Sequence, residues 1–298
     1  MNKKERFPLA SILIMLLFVL GCANESQKNK TEKDVLDFPQ ETKTDQLGET
    51  FYQIPSPEEL FAFVQEGDLT YKQSLLNDIE NASKYTDVRA KELNFGIYIA
   101  DLAYAAAFSR YQESIKNIES VRKLSEEIGI SAVFDEALSN RIQNIFENSD
   151  SLLNVTNSSY YKIVSYLEEN ERGRTLALIS AGGWLESLYI FTNLVNNYSP
   201  KNPTIQRIAD QKLTFENLIS YLKKHQEDNY VKTTIEDLAQ IQKAFNALEV
   251  VKVKKSDVKS SNSHAIIVGG SKRISITEEQ FNNLKKAISD ARNKITAN

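Results

Sequence analysis

Histidine and cysteine are nearly missing from this 298-residue chain, with two of the first and one of the second. That leaves too few soft ligands for a zinc site and no partner for a disulfide, so no metal site and no cystine framework is expected. Glycine and proline are scarce too, at 10 and 6, and no proline lies between Glu58 and Ser199. An all-β chain needs a turn about every 8 to 12 residues, which disfavours that class. Charge of one sign is not in excess: the formal net charge of −4 gives no general basic surface for nucleic acid. What is present, 41% hydrophobic and 26% charged residues, is ordinary globular composition and reads as mostly helix.

The N-terminus carries an address. In MNKKERFPLASILIMLLFVLGC, Lys3, Lys4 and Arg6 precede an apolar run from Leu9 to Leu20, the charged and hydrophobic regions of an export signal. The run is too short to span a bilayer. It ends in Val19-Leu20-Gly21-Cys22, which resembles a bacterial lipobox: an apolar pair, a small residue at the cut, then the cysteine that receives diacylglycerol. Residues 1–21 are therefore expected to be a lipoprotein signal peptide, with acylated Cys22 anchoring the mature chain in a membrane. More than one acyl chain meets the requirement for stable anchoring. In lipoproteins of this kind an aspartate after the cysteine favours the inner membrane; Ala23 stands there, so the outer membrane is expected. From Ala23 to Thr50 the chain is too polar to bury a core, and residues 22–50 read as a flexible tether.

Residues 51–298 read as one all-α body. Ser56-Pro57-Glu58-Glu59 carries the signals of a helix start, with a short helix to about Gln65 and a second predicted from about Thr70 to Lys84. Two stretches then stand out, FGIYIADLAYAAAF from Phe95 to Phe108 and TLALISAGGWLESLYIF from Thr175 to Phe191, each with one charged residue. Helices apolar around nearly their whole circumference belong at the centre of a bundle. Amphipathic helices surround them: one through Ile115, Ile118, Val121, Leu124 and Ile128 that stops at Gly129; one or two from Ser131 to Glu169; one from Asn202-Pro203 with Ile205, Ile208, Phe215, Leu218 and Leu222 inward. Another follows through Val231, Ile235, Leu238, Phe245 and Leu248, and the last begins at the Thr277 to Gln280 capping box. Between those two, the β-branched stretch from Glu249 to Ile276, with Gly269-Gly270, suggests a hairpin or irregular segment.

The apolar helices share a pattern. Asp101 is followed three residues later by Tyr104, and Glu186 by Tyr189, so each acid shares a helix face with a tyrosine. Gly96, Gly182 and Gly183 sit about a turn earlier, where a missing side chain lets a neighbouring helix or a ligand approach the backbone. Trp184, the only tryptophan, is nearby in sequence. A carboxylate on an apolar helix is costly to bury unpaired. Three readings follow: each acid meets a tyrosine or an arginine such as Arg89, Arg110, Arg172 or Arg174 and fixes helix register; or Asp101, Tyr104, Trp184, Glu186 and Tyr189 line a ligand pocket; or the two acids act as a catalytic pair. Neither His225 nor His264 has a ligand-spaced neighbour, no Gly-x-Ser-x-Gly occurs, and Gly269-Gly270-Ser271-Lys272 lacks the rest of a phosphate loop, so no cofactor is implied.

The blocks GIYIADLAYAAAFSRYQESI, AGGWLESLYI and ITEEQFNNLKKAISDARNKI together resemble a group of uncharacterised all-helical lipoproteins of Gram-negative envelopes, over most of the chain after about Glu58. The resemblance implies a helical bundle and an envelope location and transfers no catalytic residue. The function expected is binding or scaffolding at the outer membrane, with a protein partner or small ligand in the envelope and no nucleic acid. The alternatives are an enzyme using Asp101 and Glu186 as paired carboxylates and a carrier enclosing a hydrophobic ligand.

Overall fold

A computed structural model describes residues 54, 56–61, 69–134, 149–252 and 272–297. The predicted signal peptide, Cys22 and the tether lie outside these residues, as do the helix end near Gln65, Gly67, the stretch from Leu138 to Ile145, His264 and the Gly269-Gly270 pair. Within them the chain is an all-helical bundle with one small two-stranded ribbon before the last helix.

A helical turn, α1 (Glu58–Phe61), leads in. The helix predicted from Thr70 to Lys84 does not form. Two 3-10 turns, Gln73–Leu75 and Ile79–Ser83, stand in its place. The reason is tertiary: the Lys72 N–H donates to the Tyr104 hydroxyl at 2.8 Å, the Asn77 N–H donates to Asp101 at 3.0 Å, and the Asp78 carbonyl accepts from the Tyr98 hydroxyl at 2.6 Å. Backbone groups that a helix would pair with one another are satisfied by side chains of the adjoining helix instead.

That helix is α2 (Val88–Ala107), whose N-terminus is capped by Asp87, the carboxylate accepting from the Ala90 N–H at 3.1 Å. It runs antiparallel into α3 (Tyr111–Glu127). α3 ends at Gly129, whose φ of +69° is the left-handed conformation; the Ile130 N–H reaches back to the Ser125 carbonyl at 2.9 Å and the Gly129 N–H to Glu126 at 3.2 Å, a Schellman end. The guanidinium of Arg172 adds bonds of 3.0 and 2.7 Å to the carbonyls of Gly129 and Ile128, a cation where the helix dipole favours one. Of the predicted inward positions on α3, Val121, Leu124 and Ile128 are buried, whereas Ile115 is 40% exposed.

After a helical turn over 131–134, α4 (Ser149–Glu169) leads to α5 (Gly173–Leu194), and α6 (Pro203–Lys224) begins after Asn202, whose side chain caps the Thr204 N–H at 2.9 Å. The helix predicted through Val231 to Leu248 is divided at Leu238 into α7 (Asn229–Asp237) and α8 (Ala239–Asn246). β1 (Glu249–Lys252) pairs antiparallel with β2 (Lys272–Ser275), Val250 opposite Ile274. The ribbon rests on α6, where the Gln206 amide donates to the Ile274 carbonyl at 3.1 Å. α9 (Glu278–Thr296) closes the chain with the predicted capping box in place: Thr277 and Gln280 exchange bonds of 3.2 and 2.8 Å.

The two apolar rods are α2 and α5, and they make the most extensive helix pairing of the bundle. α3 and α4 pack on α2, α6 on α5, and α9 on both rods. Their crossing is a glycine contact. A Cβ on Gly96 would stand 2.0 Å from the Ile179 carbonyl oxygen, and one on Gly182 would stand 1.9 Å from that of Leu93. Backbone lies against backbone there, so the close approach anticipated at these glycines is that of a neighbouring helix. No helix among the described residues is long and apolar enough to cross a membrane.

Candidate functional site

Asp101 on α2 and Glu186 on α5 are both fully buried and lie side by side. Crossing the rods at their glycines brings these faces together, and α9 supplies the counter-charge. The Arg292 guanidinium holds Glu186 in a two-pronged pair, Nε to Oε2 at 2.9 Å and the terminal nitrogen to Oε1 at 3.0 Å. The Tyr189 ring, one turn after Glu186, lies under that guanidinium, 4.7 Å from its carbon to the ring centre. Asp101 Oδ2 accepts from the Asn77 N–H, and its Oδ1 meets no protein donor.

Two carboxyls and one arginine cannot all be ionised in such a place without leaving a net buried negative charge. Burial pushes the Asp101 carboxyl well above its usual range, and the neighbouring Glu186 pushes it further. Burial raises Glu186 as well, but there Arg292 opposes the shift. Of the two carboxyls Asp101 is thus the one whose surroundings favour the protonated form. The two acids form a buried dyad, which a single proton would leave neutral beside Arg292.

Around it several polar groups are engaged, although the buried Asn94 Oδ1 has no hydrogen-bond partner. The Asn77 amide donates to the Tyr85 hydroxyl at 3.0 Å and accepts from Asn81 at 3.0 Å. The Tyr85 hydroxyl faces the Thr296 carbonyl at 3.5 Å, and the Asn94 amide donates to that of Ile295 at 3.2 Å, so the C-terminal carbonyls of α9 are taken up by the rods and their neighbours. Burial raises the hydroxyl pKa of Tyr85 and Tyr98, keeping both protonated.

The other predicted site residues fall elsewhere. Tyr104 shares a face with Asp101, but its hydroxyl takes the Lys72 N–H, and its ring belongs to an aromatic group with Phe61, Tyr71 and Phe108, the Tyr71 ring stacked at 5.0 Å. Its hydroxyl is pushed up to about 12, chiefly by burial. Trp184 is only two residues from Glu186, which on a helix is nearly the opposite side. Its indole stacks on Phe215 at 4.8 Å, leans on Phe245, and donates to Gln211 at 3.2 Å. The structure thus brings together Asp101, Glu186 and Tyr189, sets Tyr104 one turn along, and places Trp184 in a second aromatic group.

None of the four arginines proposed from the sequence as partners meets these acids. Arg89 pairs with Asp237, Arg110 with Glu113 at 3.3 Å, Arg172 caps α3, and Arg174 holds a third buried acid, Glu92, in a fork of two 2.9 Å bonds completed by Thr175 at 2.8 Å. Arg292 was legible as a cation within the last helix, next to inward Ala291 and one turn beyond inward Ile288. Glu92 carried a similar signal, an acid beside the buried Leu93 at the entry to the apolar rod. Only the crossing of distant helices shows which cation serves which acid.

Near the dyad a surface cleft of about 270 Å³ opens between the second 3-10 turn and α3, lined by Gln73, Leu76, Asn77, Asp78, Ile79, Glu113, Lys116 and Asn117. Asn77 is its link to the interior. Among the described residues no group of His, Cys, Asp and Glu side chains is arranged to hold a metal ion. Comparison of the chain with protein-family models, curated proteins and solved structures finds no match.

Proposed function

We propose that this protein is a lipid-anchored component of the bacterial envelope, held through acylated Cys22 at the end of a polar tether, whose helical body is a binding or scaffolding module at the outer membrane. The lipobox-like Val19-Leu20-Gly21-Cys22 at the end of an export-type apolar run supports the anchor. The resemblance of the three helical blocks to Gram-negative envelope lipoproteins supports the location, as does Ala23.

For the body, the observation that carries the reading is the engagement of Asp101 and Glu186 with each other, with Asn77 and with Arg292 at zero exposure. A catalytic acid must reach a proton on substrate, directly or through one water. Neither acid has any surface open to solvent, which favours binding over paired-acid catalysis. The backbone contact at Gly96 and Gly182 likewise leaves no gap at that crossing for a hydrophobic cargo.

The test has two arms. Labelled fatty acid should be incorporated by the wild type and not by Cys22→Ala, which should also leave the membrane fraction; label and membrane association persisting in the variant would overturn the anchor. Replacing Asp101 by Asn and Glu186 by Gln together should lower thermal stability markedly if the acids hold the bundle together. Unchanged stability would return them to the list of ligand groups.

A further inference from the structure

Lys285 of α9 is a half-buried cation with no acid beside it. Among the described residues its ammonium has no hydrogen-bond or ion-pair partner, and the one charge close enough to act on it is that of Lys72. The packing of α9 on α5 places the two together. At one end of the seam the Phe281 ring lies 6.1 Å from that of Tyr198, and at the other Arg292 holds Glu186 and covers the Tyr189 ring. Lys285 stands one turn after Phe281 and two turns before Arg292, so all three share one face of α9. That register sets Lys285 opposite the end of α5, where Lys72 Nζ is fixed by the Asn193 carbonyl at 2.8 Å and by Asn196 Oδ1 at 2.9 Å.

Two like charges held together in a partly desolvated place call for an anion between them. Burial and the neighbouring Lys72 both lower the pKa of Lys285. The seam offers donors and no acid: two ammoniums, the side-chain nitrogen of Asn196, whose oxygen is turned to Lys72, and the half-buried Ser289 hydroxyl one turn beyond Lys285 on the same face. Ammoniums act on phosphate as point charges, whereas a planar carboxylate is matched better by a guanidinium fork. A phosphate monoester carries about −1.5 to −2 charges at neutral pH, the amount that two lysines balance. Lys72 and Lys285 each keep part of their surface open to solvent, so such a group can reach both.

We propose that Lys72 and Lys285, at the seam of α5 and α9, bind a phosphate group carried by a small soluble ester or by a lipid headgroup, with Ser289 and Asn196 as accompanying donors. This names a ligand for the body, so it rests on the binding reading of the body and is independent of the anchor. Bound phosphate ties together three segments distant in sequence: the stretch that carries Lys72, the end of α5, and α9.

The experiment is calorimetric titration of the acylated full chain, in non-ionic detergent and at constant ionic strength in chloride, with three probes: inorganic phosphate, glycerophosphoglycerol as a soluble diester headgroup, and acetate. Phosphate or the diester is expected to bind saturably and raise the melting temperature. Tighter binding of phosphate assigns a soluble ester, and tighter binding of the diester a lipid headgroup. Lys72→Gln and Lys285→Gln should each weaken binding by about tenfold or more, the worth of a hydrogen bond to a charged group. Lys286→Gln should not, since Lys286 is paired with Asp290. Lys285→Met adds a readout separate from affinity: without phosphate it should melt at or above the wild type, because it removes an unpaired charge and keeps an apolar stem, and phosphate should no longer raise its melting temperature. No saturation by phosphate or the diester, acetate binding as tightly, wild-type affinity in folded glutamine variants, or Lys285→Met melting below the wild type in phosphate-free buffer would overturn the site. Such a failure removes the lysine site alone; the anchor falls only to the labelling result, and the reading of the body only to the stability of the double acid variant.

Discussion

Glu186 and Arg292, 106 residues apart, form a two-pronged ion pair in which the carboxylate has no exposure and the guanidinium side chain has 12%. The pair fastens the last helix to the second central rod. Lys294 to Asp237 at 2.5 Å and the Asn94 amide to the Ile295 carbonyl add further ties, so α9 is held along its last two turns.

Removing the cation should therefore be far worse than removing a surface charge. Arg292→Met is expected to cost about 3 to 5 kcal/mol at neutral pH, because Glu186 stays buried and uncompensated. Urea unfolding measures it. Lowering the pH should recover part of the loss, since Glu186 can then take up a proton; Arg292→Met combined with Glu186→Gln should be more stable than Arg292→Met alone. A loss below about 1 kcal/mol, the range of exposed pairs, would show that the pair does not hold α9.

Asp101→Asn provides the pH test. A carboxyl whose folded pKa is raised above its ordinary 3.8 binds its proton more tightly in the folded state. Its contribution to stability is complete below that value and is lost as pH climbs toward the raised one. Asparagine keeps a donor for Glu186 and an acceptor for the Asn77 N–H but never ionises. The stability of Asp101→Asn relative to wild type should rise with pH across denaturation curves taken at acid, neutral and mildly alkaline pH. A difference that stays flat over that range would mean that Asp101 is already ionised.

The glycine crossing is tested by a single methyl group. Gly96→Ala gains helix propensity yet drives a Cβ to 2.0 Å from the Ile179 carbonyl oxygen, a backbone atom that cannot swing aside. Overpacking of this kind costs about 1 to 3 kcal/mol and occasionally more, and the upper end or beyond is expected. The propensity gain of about 1 kcal/mol does not offset it. A melting temperature at or above that of the wild type would show that the rods separate freely.

Helix ends offer substitutions in the opposite direction. Glu171 has φ of +56° after α4, where the Arg172 N–H bonds to the Leu167 carbonyl at 2.7 Å, the same geometry that Gly129 adopts after α3. Glu171→Gly should stabilise by about 0.5 to 1 kcal/mol by relieving the left-handed conformation. Gly129→Ala should destabilise by about 1 kcal/mol although nothing lies within 4 Å of the added carbon. Thermal unfolding of the two variants should give shifts of opposite sign.

Much of this architecture is legible in the residues. Uniform apolarity marked α2 and α5 as innermost, and the apolar residues of α9 at three- and four-residue steps, Phe281, Leu284, Ile288, Ala291 and Ile295, are all buried. Asn202 and Thr277 cap where side-chain chemistry says they should. The Thr70 to Lys84 segment misled because its helical propensity competes with hydroxyls and a carboxyl from α2 that sequence spacing cannot place. The site was half legible. Lone acids on greasy helices announced buried pairs, whereas the two-residue step from Glu186 that sends Trp184 to the far side is a matter of helix geometry.

Local forces act over one or two turns, so the chain alone determined most of the helices, the Thr70 to Lys84 segment excepted, together with which faces are apolar and where caps begin them. It also determined that two carboxyls would have to be buried. Which cation serves them, and that the two acids face each other, was decided only when the glycine-mediated crossing of α2 and α5 and the docking of α9 brought Asp101, Glu186 and Arg292 into one dry space, because charge pairing depends on distance in space and not on position along the chain.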